Sequence, residues 1–449
     1  MNADGKSDGS VVPSNPANHG GAEPPAESAE GRLPAKRNIE QAASARTLSR
    51  KSRESRGLHG VREAARESRD LRFTALLHHI DEDLLVWSFY QLRKNAAVGL
   101  DQMTWHEYEG DLEDRIRDLH GRIHRGAYRA TPSRRVWIPK PDGRQRPLGI
   151  ASLEDKLVQH AVRTVLQCIY EQDFLGFSYG FRPGRSQHQA LDALAYAIYE
   201  KRVSWVLDAD IQGFFDSIDR DWLMRFLEHR VGDRRILRLI RKWLYAGIIE
   251  DGNWTDTGQG TPQGAVLSPL LANVFLHYVL DLWMNWWRKR HARGNCIIIR
   301  YADDFVIGFE REDDAKACLA ALYDRMEKFG LNLHPDKTRL IQFGRNAAVR
   351  RERRGLGRCE TFDFLGFTHV CGKTRKNKRF VLWRRTSLKR MRRTLAAIKL
   401  QLRRRSQRGR SRWNWARMHR ILPRYLPTPR ILHPYPKDRF RARLEARAV

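Results

Sequence analysis

The feature that most restricts how this chain can fold is a pair of adjacent carboxylates at the tip of an apolar hairpin. Asp303 and Asp304 stand between the apolar segments 296–299 and 305–309. Apolar runs of this length with a polar break between them are typical of buried strands. Burying uncompensated carboxylates costs more free energy than one strand pair returns, so such groups are usually paired with cations or bind metal. Because Mg²⁺ prefers oxygen ligands, the pattern predicts either a magnesium site or an exposed, Asp-containing turn.

Another carboxylate follows a predicted strand 93 residues before Asp303. The apolar segment 204–207 leads into Asp208 and Asp210. Two strand ends that deliver carboxylates to one place can hold two metal ions roughly 3.5–4 Å apart, which is the arrangement used for phosphoryl transfer. Asp210 is the favoured partner of Asp303 because it follows the strand directly, with Asp208 and Asp216 as alternatives.

The basic charge of the chain is concentrated at its C-terminal end. The whole sequence has 83 Lys and Arg against 52 Asp and Glu, a net charge of +31. Residues 371–449 alone hold 27 Lys and Arg and two acidic residues, so these 79 residues carry +25. Such an excess predicts a polyanionic partner. Apolar residues at helical spacing in this segment favour nucleic acid over the alternatives, a membrane surface or a solvated charged face.

Cysteine spacing and hydropathy restrict the class of protein further. The five cysteines are scattered without a C-x-x-C pair, which argues against a disulfide framework and a zinc module. No stretch of about 18 consecutive apolar residues is present, and residues 1–30 lack the apolar region of a secretory signal. We therefore expect a cytoplasmic protein without a membrane partner, in which association with the nucleoid is an open option.

Helix and strand patterns alternate along the middle of the chain. Segment 134–150 has Pro-Asp-Gly between two apolar runs, which predicts a hairpin. Helical apolar spacing predicts helices near 154–170, 222–245, 270–287 and 313–329. Strands that alternate with helices and return as an antiparallel hairpin favour an α+β architecture over a doubly wound sheet.

The ordered set of motifs resembles that of bacterial group II intron-encoded reverse transcriptases, which are also called maturases. Segment 210–216 is similar to the first carboxylate block of the family's palm, and 301–304 is similar to the second. The finger motifs, the loop beside the nucleotide pocket and the end of the palm match at 94–101, 138–143, 179–184, 261–269 and 364–367. The resemblance implies a right-hand polymerase fold, with fingers and palm of antiparallel sheet and flanking helices, followed by a basic helical thumb.

The resemblance also implies a catalytic set. The residues Asp210, Asp303 and Asp304 would bind two Mg²⁺ ions, with Asp303 the surest of the second pair. The backbone carbonyl of Ile211 would complete a metal site. Lys337 would be either a general acid for pyrophosphate or an ordinary surface lysine.

Substrate contacts follow from the same resemblance. Phe215 would be the steric gate against a ribose 2′-hydroxyl, with a core aromatic as the alternative. Lys140 and Arg146 flank the fingers turn, where cations suit an incoming triphosphate, and a solvated basic hairpin is the alternative. Gln263 would contact the nucleotide or the primer end, with an ordinary turn residue as the alternative. Arg182 would shape the template channel and is assigned to nucleic-acid binding.

The predicted thumb begins with an amphipathic helix. One face is apolar, and most of the basic side chains lie off it, so that Arg390, Arg393 and Lys399 are predicted to follow phosphates. The apolar face consists of Leu388, Met391, Leu395, Ile398 and Leu402. Compared with the family, about forty residues of the maturase region are absent after this helix, and no zinc-bound endonuclease module is present.

These patterns predict four segments: a disordered, basic N-terminal segment (1–70), an N-terminal extension of the fingers (71–120), the reverse transcriptase fingers and palm (121–369), and a basic thumb with a shortened maturase-type RNA-binding region (370–449). The expected function is RNA-directed DNA polymerisation from dNTPs on a DNA primer that copies intron RNA, with Mg²⁺ as cofactor and a weakened splicing role. A non-catalytic, intron-RNA-binding splicing factor is the alternative, followed by an inactive remnant. A retron-type or host-defence enzyme would share the chemistry but matches the N-terminal and fingers blocks less well. Oligomeric state is not predicted.

Overall fold

The computed structural model describes residues 57–139, 145–250, 253–255, 260–261 and 264–407. These residues form three sheets with helices packed around them. The helices are α1 (57–67), α2 (Glu82–Gln91), α3 (Trp105–Gly110), α4 (Leu112–His124), α5 (Leu153–Asp173), α6 (Gln187–Glu200), α7 (Phe214–Ser217), α8 (Arg220–Arg230), α9 (Arg234–Leu244), α10 (Ser268–Leu276), α11 (Leu282–Arg290), α12 (Glu312–Glu327), α13 (Arg345–Arg353) and α14 (Leu388–Gln407). The strands are β1 (Ser133–Pro139), β2 (Gln145–Ile150), β3 (Trp205–Ala209), β4 (Ile248–Glu250), β5 (Asn253–Thr255), β6 (Cys296–Tyr301), β7 (Asp304–Phe309), β8 (Arg339–Gln342), β9 (Phe362–Phe364), β10 (Phe367–Lys373) and β11 (Phe380–Thr386).

The central sheet, here called the palm sheet, is antiparallel throughout, with the strand order β6-β7-β3-β8. Strands β6 and β7 are mostly apolar and buried, as expected for strands covered on both faces. Helix α12 packs on β3 and β7, and α6 packs on β6. The predicted hairpin at 296–309 and the predicted α+β class are both confirmed.

The fingers sheet has the order β2-β1-β4-β5. Strands β1 and β2 form the predicted hairpin, with Arg134 opposite Ile150 and Pro139 opposite Gln145. Behind it runs α5, whose N-terminus is capped by the Ser152 hydroxyl, which accepts a hydrogen bond from the Asp155 N–H. A continuous apolar stripe buries this helix in the core.

The third sheet, in the order β11-β10-β9, leads into α14. Strand β10 runs across the predicted boundary between residues 369 and 370. The strands β10 and β11 pair over seven residues each, from Phe367 opposite Thr386 to Lys373 opposite Phe380. The first part of the predicted thumb segment is therefore strand, and helix begins only at Leu388.

The last part of the predicted N-terminal segment (1–70) is partly helical. Residues 57–67 form α1, in which Val61 and Ala65 are buried. The carbonyl groups of Ala65 and Ser68 accept hydrogen bonds from the buried Arg230 guanidinium, which also pairs with Asp173. This helix is therefore anchored to α5 and α8. Residues 1–56 lie outside the described residues.

The predicted helical stretch 222–245 is two helices, α8 and α9. The Asp233 side chain caps α9 and accepts hydrogen bonds from the N–H groups of Leu76 and Leu77 as well. This cap explains why α8 and α9 are separate helices. A residue whose side chain caps the first turn of a helix lies before that turn, so Asp233 cannot lie inside one continuous helix. In the described part of the chain, every helix is too short or too polar to cross a membrane.

Candidate active site

The register of the palm sheet brings the two carboxylate segments together. Ala209 of β3 pairs with Phe305 of β7, so the next step along both strands sets Asp210 opposite Asp304. Residues opposite each other in an antiparallel pair share one face of the sheet. Asp303 lies in the two-residue turn between β6 and β7, where Tyr301 pairs with Asp304. Asp210 and Asp303 are half-buried, whereas Asp304 is exposed.

The turn that carries Asp303 is held in an unusual backbone conformation. Ala302 has a φ of 58°, in the left-handed region that side chains with a Cβ atom rarely adopt. Gly180 packs directly behind it, and a Cβ atom on Gly180 would lie 2.2 Å from the Ala302 nitrogen. Only glycine permits so close an approach. Segment 179–184 therefore supports the back of the turn that carries Asp303.

A buried arginine fixes the turn from below. Arg300 is fully buried, and it donates from Nη1 to the Ala302 carbonyl at 2.9 Å and to Asn273 Oδ1 at 2.9 Å. Its Nε and Nη2 atoms donate to the two carboxylate oxygens of Asp281, at 2.7 and 2.5 Å. Asn273 in turn donates from Nδ2 to the Gly180 carbonyl at 2.7 Å. We call Arg300, Asp281 and Asn273 the turn clamp.

The helix that supplies Asn273 and Asp281 is adjusted to reach Arg300. A π-helical segment, His277–Asp281, joins α10 to α11. Residues eight apart in a regular α-helix lie about 80° apart around the axis. Because a π-helical segment turns less per residue, it brings both side chains to the same arginine. The sequence reasoning missed this clamp, although an arginine inside an apolar strand is a usable signal of a buried ion pair.

The negative charge of the carboxylates in the site is only partly compensated, since Lys337 pairs with Asp210 and Arg339 lies 3.7 Å from Asp208. Desolvation raises the pKa of Asp303, and the neighbouring Asp210 raises it further. Desolvation, followed by repulsion from Asp303, Asp210 and Asp208, raises the pKa of Asp304 to about 7. Because Asp304 is an exposed residue, water relieves part of the desolvation. Burial is the main reason that the pKa of Asp208 rises to about 6. A cation bound among these groups would lower all three pKa values.

Lys337 supplies one cation to this site. Its Nζ atom lies 2.5 Å from Asp210 Oδ2. Within the described residues, no three His, Cys, Asp or Glu side chains converge into a ready-made metal cluster. Lys337 therefore stands where a metal ion would compensate the same charge.

The donor set nevertheless fits Mg²⁺. Carboxylate oxygens and backbone carbonyls are the ligands that this hard cation prefers. Ile211 forms an isolated bridge with Leu333, and the bonds around it use the Asp210 carbonyl and the Gln212 N–H. The Ile211 carbonyl is thus directed away from this pairing. Asp216 is exposed beyond the sheet, on α7.

Comparison with known proteins identifies the family. Residues 138–369, more than half of the chain, match the family model described as reverse transcriptase (RNA-dependent DNA polymerase). The chain belongs to the reverse transcriptase family. The matched residues include the palm sheet and all of the carboxylates described above, so the predicted right-hand polymerase fold is confirmed. Members of this family generally depend on divalent metal ions.

Relatives of this reverse transcriptase include proteins encoded by group II introns. It is 32% identical to Protein YkfC of Escherichia coli (strain K12) over 275 residues, which are 54% of this chain and 71% of that protein. It is 35% identical to the group II intron-encoded protein LtrA of Lactococcus lactis subsp. cremoris over 242 residues, which are 53% of this chain but only 40% of LtrA. A solved telomerase structure from Candida albicans in complex with telomeric RNA is a distant likeness, with 13% identity, a TM-score of 0.40, and coverage of 63% of this chain and 50% of that one.

Two of the predicted nucleotide contacts of the reverse transcriptase can be located. Arg146 is exposed on β2 and near enough to Asp303 to counteract the rise of its pKa. Phe215 is half-buried, with its ring 5.3 Å from that of Phe214, and its carbonyl accepts the Thr261 N–H at 2.9 Å. The loop 261–269 therefore starts beside Phe215. Lys140 and Gln263 lie outside the described residues.

The surroundings of Arg182 do not favour the predicted contact with nucleic acid. Its guanidinium is buried and pairs with Glu171, with Nη2 to Oε2 at 3.0 Å. Its Nη1 atom donates to the carbonyl groups of Leu175 and Ser178, so its donors are used within the fold. Sequence alone could not distinguish an ion pair of Arg182 from a phosphate contact. Glu171 lies eleven residues before Arg182, and the direction of the Glu171 side chain depends on where α5 ends.

The basic residues predicted on the thumb helix differ in their surroundings. Arg390 is half-buried, with its guanidinium 5.5 Å from the Phe367 ring centre. Arg393 and Lys399 are exposed, and their contact with phosphates stays a prediction. On the predicted apolar face, Leu388, Met391 and Leu395 are exposed in the described structure.

Proposed function

We propose that this reverse transcriptase extends a DNA primer with dNTPs while copying RNA, using two Mg²⁺ ions. Asp210, Asp303, Asp304 and the Ile211 carbonyl would hold them. The observation that carries the proposal is the strand register that sets Asp210 opposite Asp304, next to a turn that delivers Asp303. The raised pKa values of Asp303 and Asp304 support it, because they mark a site where negative charge lacks a partner.

The residues of the chain would act mainly by positioning. Magnesium, when bound, would activate the primer 3′-hydroxyl and neutralise charge on the departing pyrophosphate. The turn clamp holds the Ala302 carbonyl, and through it the position of Asp303. Phe215 would close the pocket to a ribose 2′-hydroxyl, and Arg146, with Lys140 and Gln263, would bind the triphosphate or the primer end. Lys337, which pairs with Asp210, would either donate a proton to pyrophosphate or serve only as a structural partner of Asp210.

We further infer that the template is intron RNA and that the enzyme is of the group II intron type. Likeness to LtrA supports this inference, as does the basic segment after residue 371. We also propose the four-segment organisation with one change: the boundary between the palm and the thumb lies after β11 instead of within β10. Finally, we propose that the protein is located in the cytoplasm.

The test is primer extension on an RNA template, with Asp303→Ala compared with the original chain and with Asp336→Ala. Asp336 is an exposed carboxylate one residue before Lys337 that lies outside the carboxylate cluster. Removing a metal ligand should slow extension about a thousandfold or more, roughly 4 kcal/mol of transition-state stabilisation. RNA binding should persist in both variants, and Asp336→Ala should extend normally.

Normal extension by Asp303→Ala would overturn the metal assignment. If the original chain incorporates no nucleotide at all but promotes splicing of a group II intron, the polymerase proposal fails and the protein is a splicing factor. If it does neither while remaining folded, it is an inactive remnant.

A further inference from the structure

A strongly basic groove lies between α13 and the β10–β11 hairpin. It is a cavity of about 1590 Å³, and nine of its lining side chains are Lys or Arg. Glu352 is the single carboxylate that lines it among the described residues. We call this cavity the hairpin groove. Such a charge excess in a concave surface focuses the potential and attracts polyanions.

Most of these cations have no internal partner. Lys373 is paired with Glu352 at 2.7 Å, and Arg384 with Asp192 at 2.7 Å. None of the other seven forms an ion pair with a carboxylate in the part of the chain that the structure describes. They are exposed, and they include Arg358 on one wall and Arg375, Lys376 and Arg379 near the hairpin turn. Structural ion pairing therefore does not account for them.

Aromatic side chains line the same groove. Trp383 and Phe380 are both half-buried members of the lining. The Trp383 ring lies across Gly372, where an added Cβ atom would come within 2.3 Å of two ring atoms. The glycine thus lets the indole pack flat against β10. Exposed cations beside aromatic rings are the combination that binds single-stranded nucleic acid, by phosphate pairing and base stacking.

The groove lies at the opposite end of the palm sheet from the catalytic carboxylates. Strand β8 is antiparallel to β3, so Arg339 pairs with Asp208 while Gln342 pairs with Trp205. The Phe343 N–H then bonds to the Ser204 carbonyl, and the Gly344 N–H contacts Cys371 Sγ at 3.3 Å. Asp210 lies six residue steps along the chain from Ser204, which is about 20 Å in a strand. A nucleic-acid strand bound in the groove would therefore lie away from the nucleic acid at the catalytic carboxylates.

We propose that the hairpin groove is a second binding site, which holds a single-stranded segment of nucleic acid away from the catalytic carboxylates. The segment would place phosphates on the cations of both walls and stack bases on Trp383 and Phe380. This proposal concerns binding alone and does not depend on polymerase activity.

The test uses the full chain and a fluorescein-labelled 20-nucleotide oligouridylate, with fluorescence anisotropy as the readout. A short, unlabelled RNA–DNA hybrid with a one-nucleotide overhang is present in saturating amount to fill the catalytic cleft. The groove variant carries Arg375→Gln, Lys376→Gln and Arg379→Gln. The matched control carries Lys289→Gln, Arg290→Gln and Lys328→Gln, three exposed cations on α11 and after α12 that do not line the groove.

The original chain and the control should bind the oligouridylate in the presence of the hybrid, with equal salt dependence. In the groove variant, the slope of log K against log salt should become shallower by about 2, since each lost single-strand phosphate contact removes roughly 0.7. Extension of the short hybrid should be unchanged in the groove variant.

Three results would overturn the proposal. One is the absence of oligouridylate binding by the original chain once the hybrid is saturating. Another is an unchanged slope and affinity in the groove variant. The third is binding of phosphatidylserine vesicles, instead of oligouridylate or an equal-length oligothymidylate, that is lost on substitution. Failure of primer extension in every protein would refute the polymerase proposal and leave this result intact.

Discussion

The two ends of the palm sheet carry opposite uncompensated charge. At the carboxyl end of β3, four Asp side chains lie near two cations, Lys337, which pairs with Asp210, and Arg339, which lies 3.7 Å from Asp208. Burial and repulsion still raise the pKa of three of these carboxyl groups. At the other end, the hairpin groove collects nine cations around one carboxylate. Both ends carry charge that the chain itself does not balance, and we propose that each binds a ligand of opposite charge. Their rigidity differs, because the carboxylate end is clamped by buried hydrogen bonds and the groove cations are exposed.

The largest effect is expected from breaking the turn clamp. Arg300→Met leaves Asp281 buried without its partner, and the loss of one member of a buried pair costs about 3–5 kcal/mol of unfolding free energy. Urea unfolding measures the loss, and primer extension should fall with it. The double variant Arg300→Met/Asp281→Leu should recover much of the stability, because the unpaired charge is gone, but not the extension rate. Recovery of both would show that the clamp only stabilises the fold.

A smaller effect on primer extension is expected from substituting Gly180, which contacts both the turn clamp and the turn that carries Asp303. In Gly180→Ala the new Cβ atom must displace the Ala302 backbone, 2.2 Å away, and the carboxylate of Asp303 moves with it. A displacement of about 1 Å in a reacting geometry can cost roughly 100-fold in rate. Single-turnover extension measures this effect. Gly110→Ala, where a Cβ atom meets nothing within 4 Å, is the control, and equal rates in the two variants would contradict the argument.

Magnesium binding should depend on pH through the raised pKa of Asp304. A carboxyl whose pKa is raised to about 7 holds a proton that the unfolded chain has lost, so without metal the folded state loses stability as pH rises from about 4 to 7. Mg²⁺ competes with that proton, and its affinity should be about tenfold weaker at pH 6 than at pH 8. Thermal unfolding with and without MgCl₂ at the two pH values measures this difference. Asp304→Asn should abolish most of it, and an identical Mg²⁺ effect at both pH values in the original chain would refute the pKa argument.

Local sequence patterns predicted the strands and carboxylates at the carboxylate end of the palm sheet better than they predicted the turn clamp that supports this end. The apolar runs around Asp303 and before Asp210 predict both strands, since a buried strand and a carboxylate at its end are local features. The turn clamp joins residues 27 and 19 positions apart, and its geometry depends on a π-helical segment that no local pattern marks. Strands β10 and β11 were not predicted, because the basic residues in 373–385 mask the alternation of apolar and polar residues that indicates a strand. A cation such as Arg182 looks the same in sequence whether it contacts a phosphate or pairs with the half-buried Glu171.

The smallest effect is expected from removing charge in the hairpin groove. Arg375, Lys376 and Arg379 are exposed and unpaired, so replacing all three with Gln should change unfolding free energy by no more than about 1 kcal/mol. The three substitutions should raise the unfolding free energy, because they remove repulsion between like charges. This increase should vanish at 1 M NaCl, where the Debye length is about 3 Å. Urea unfolding at 50 mM and 1 M NaCl measures it, with the Lys289, Arg290 and Lys328 triple variant as the control. If the groove variant were instead destabilised by several kcal/mol at both salt concentrations, these cations would be holding the fold together, and the contrast between a clamped acidic end and an open basic end would be wrong.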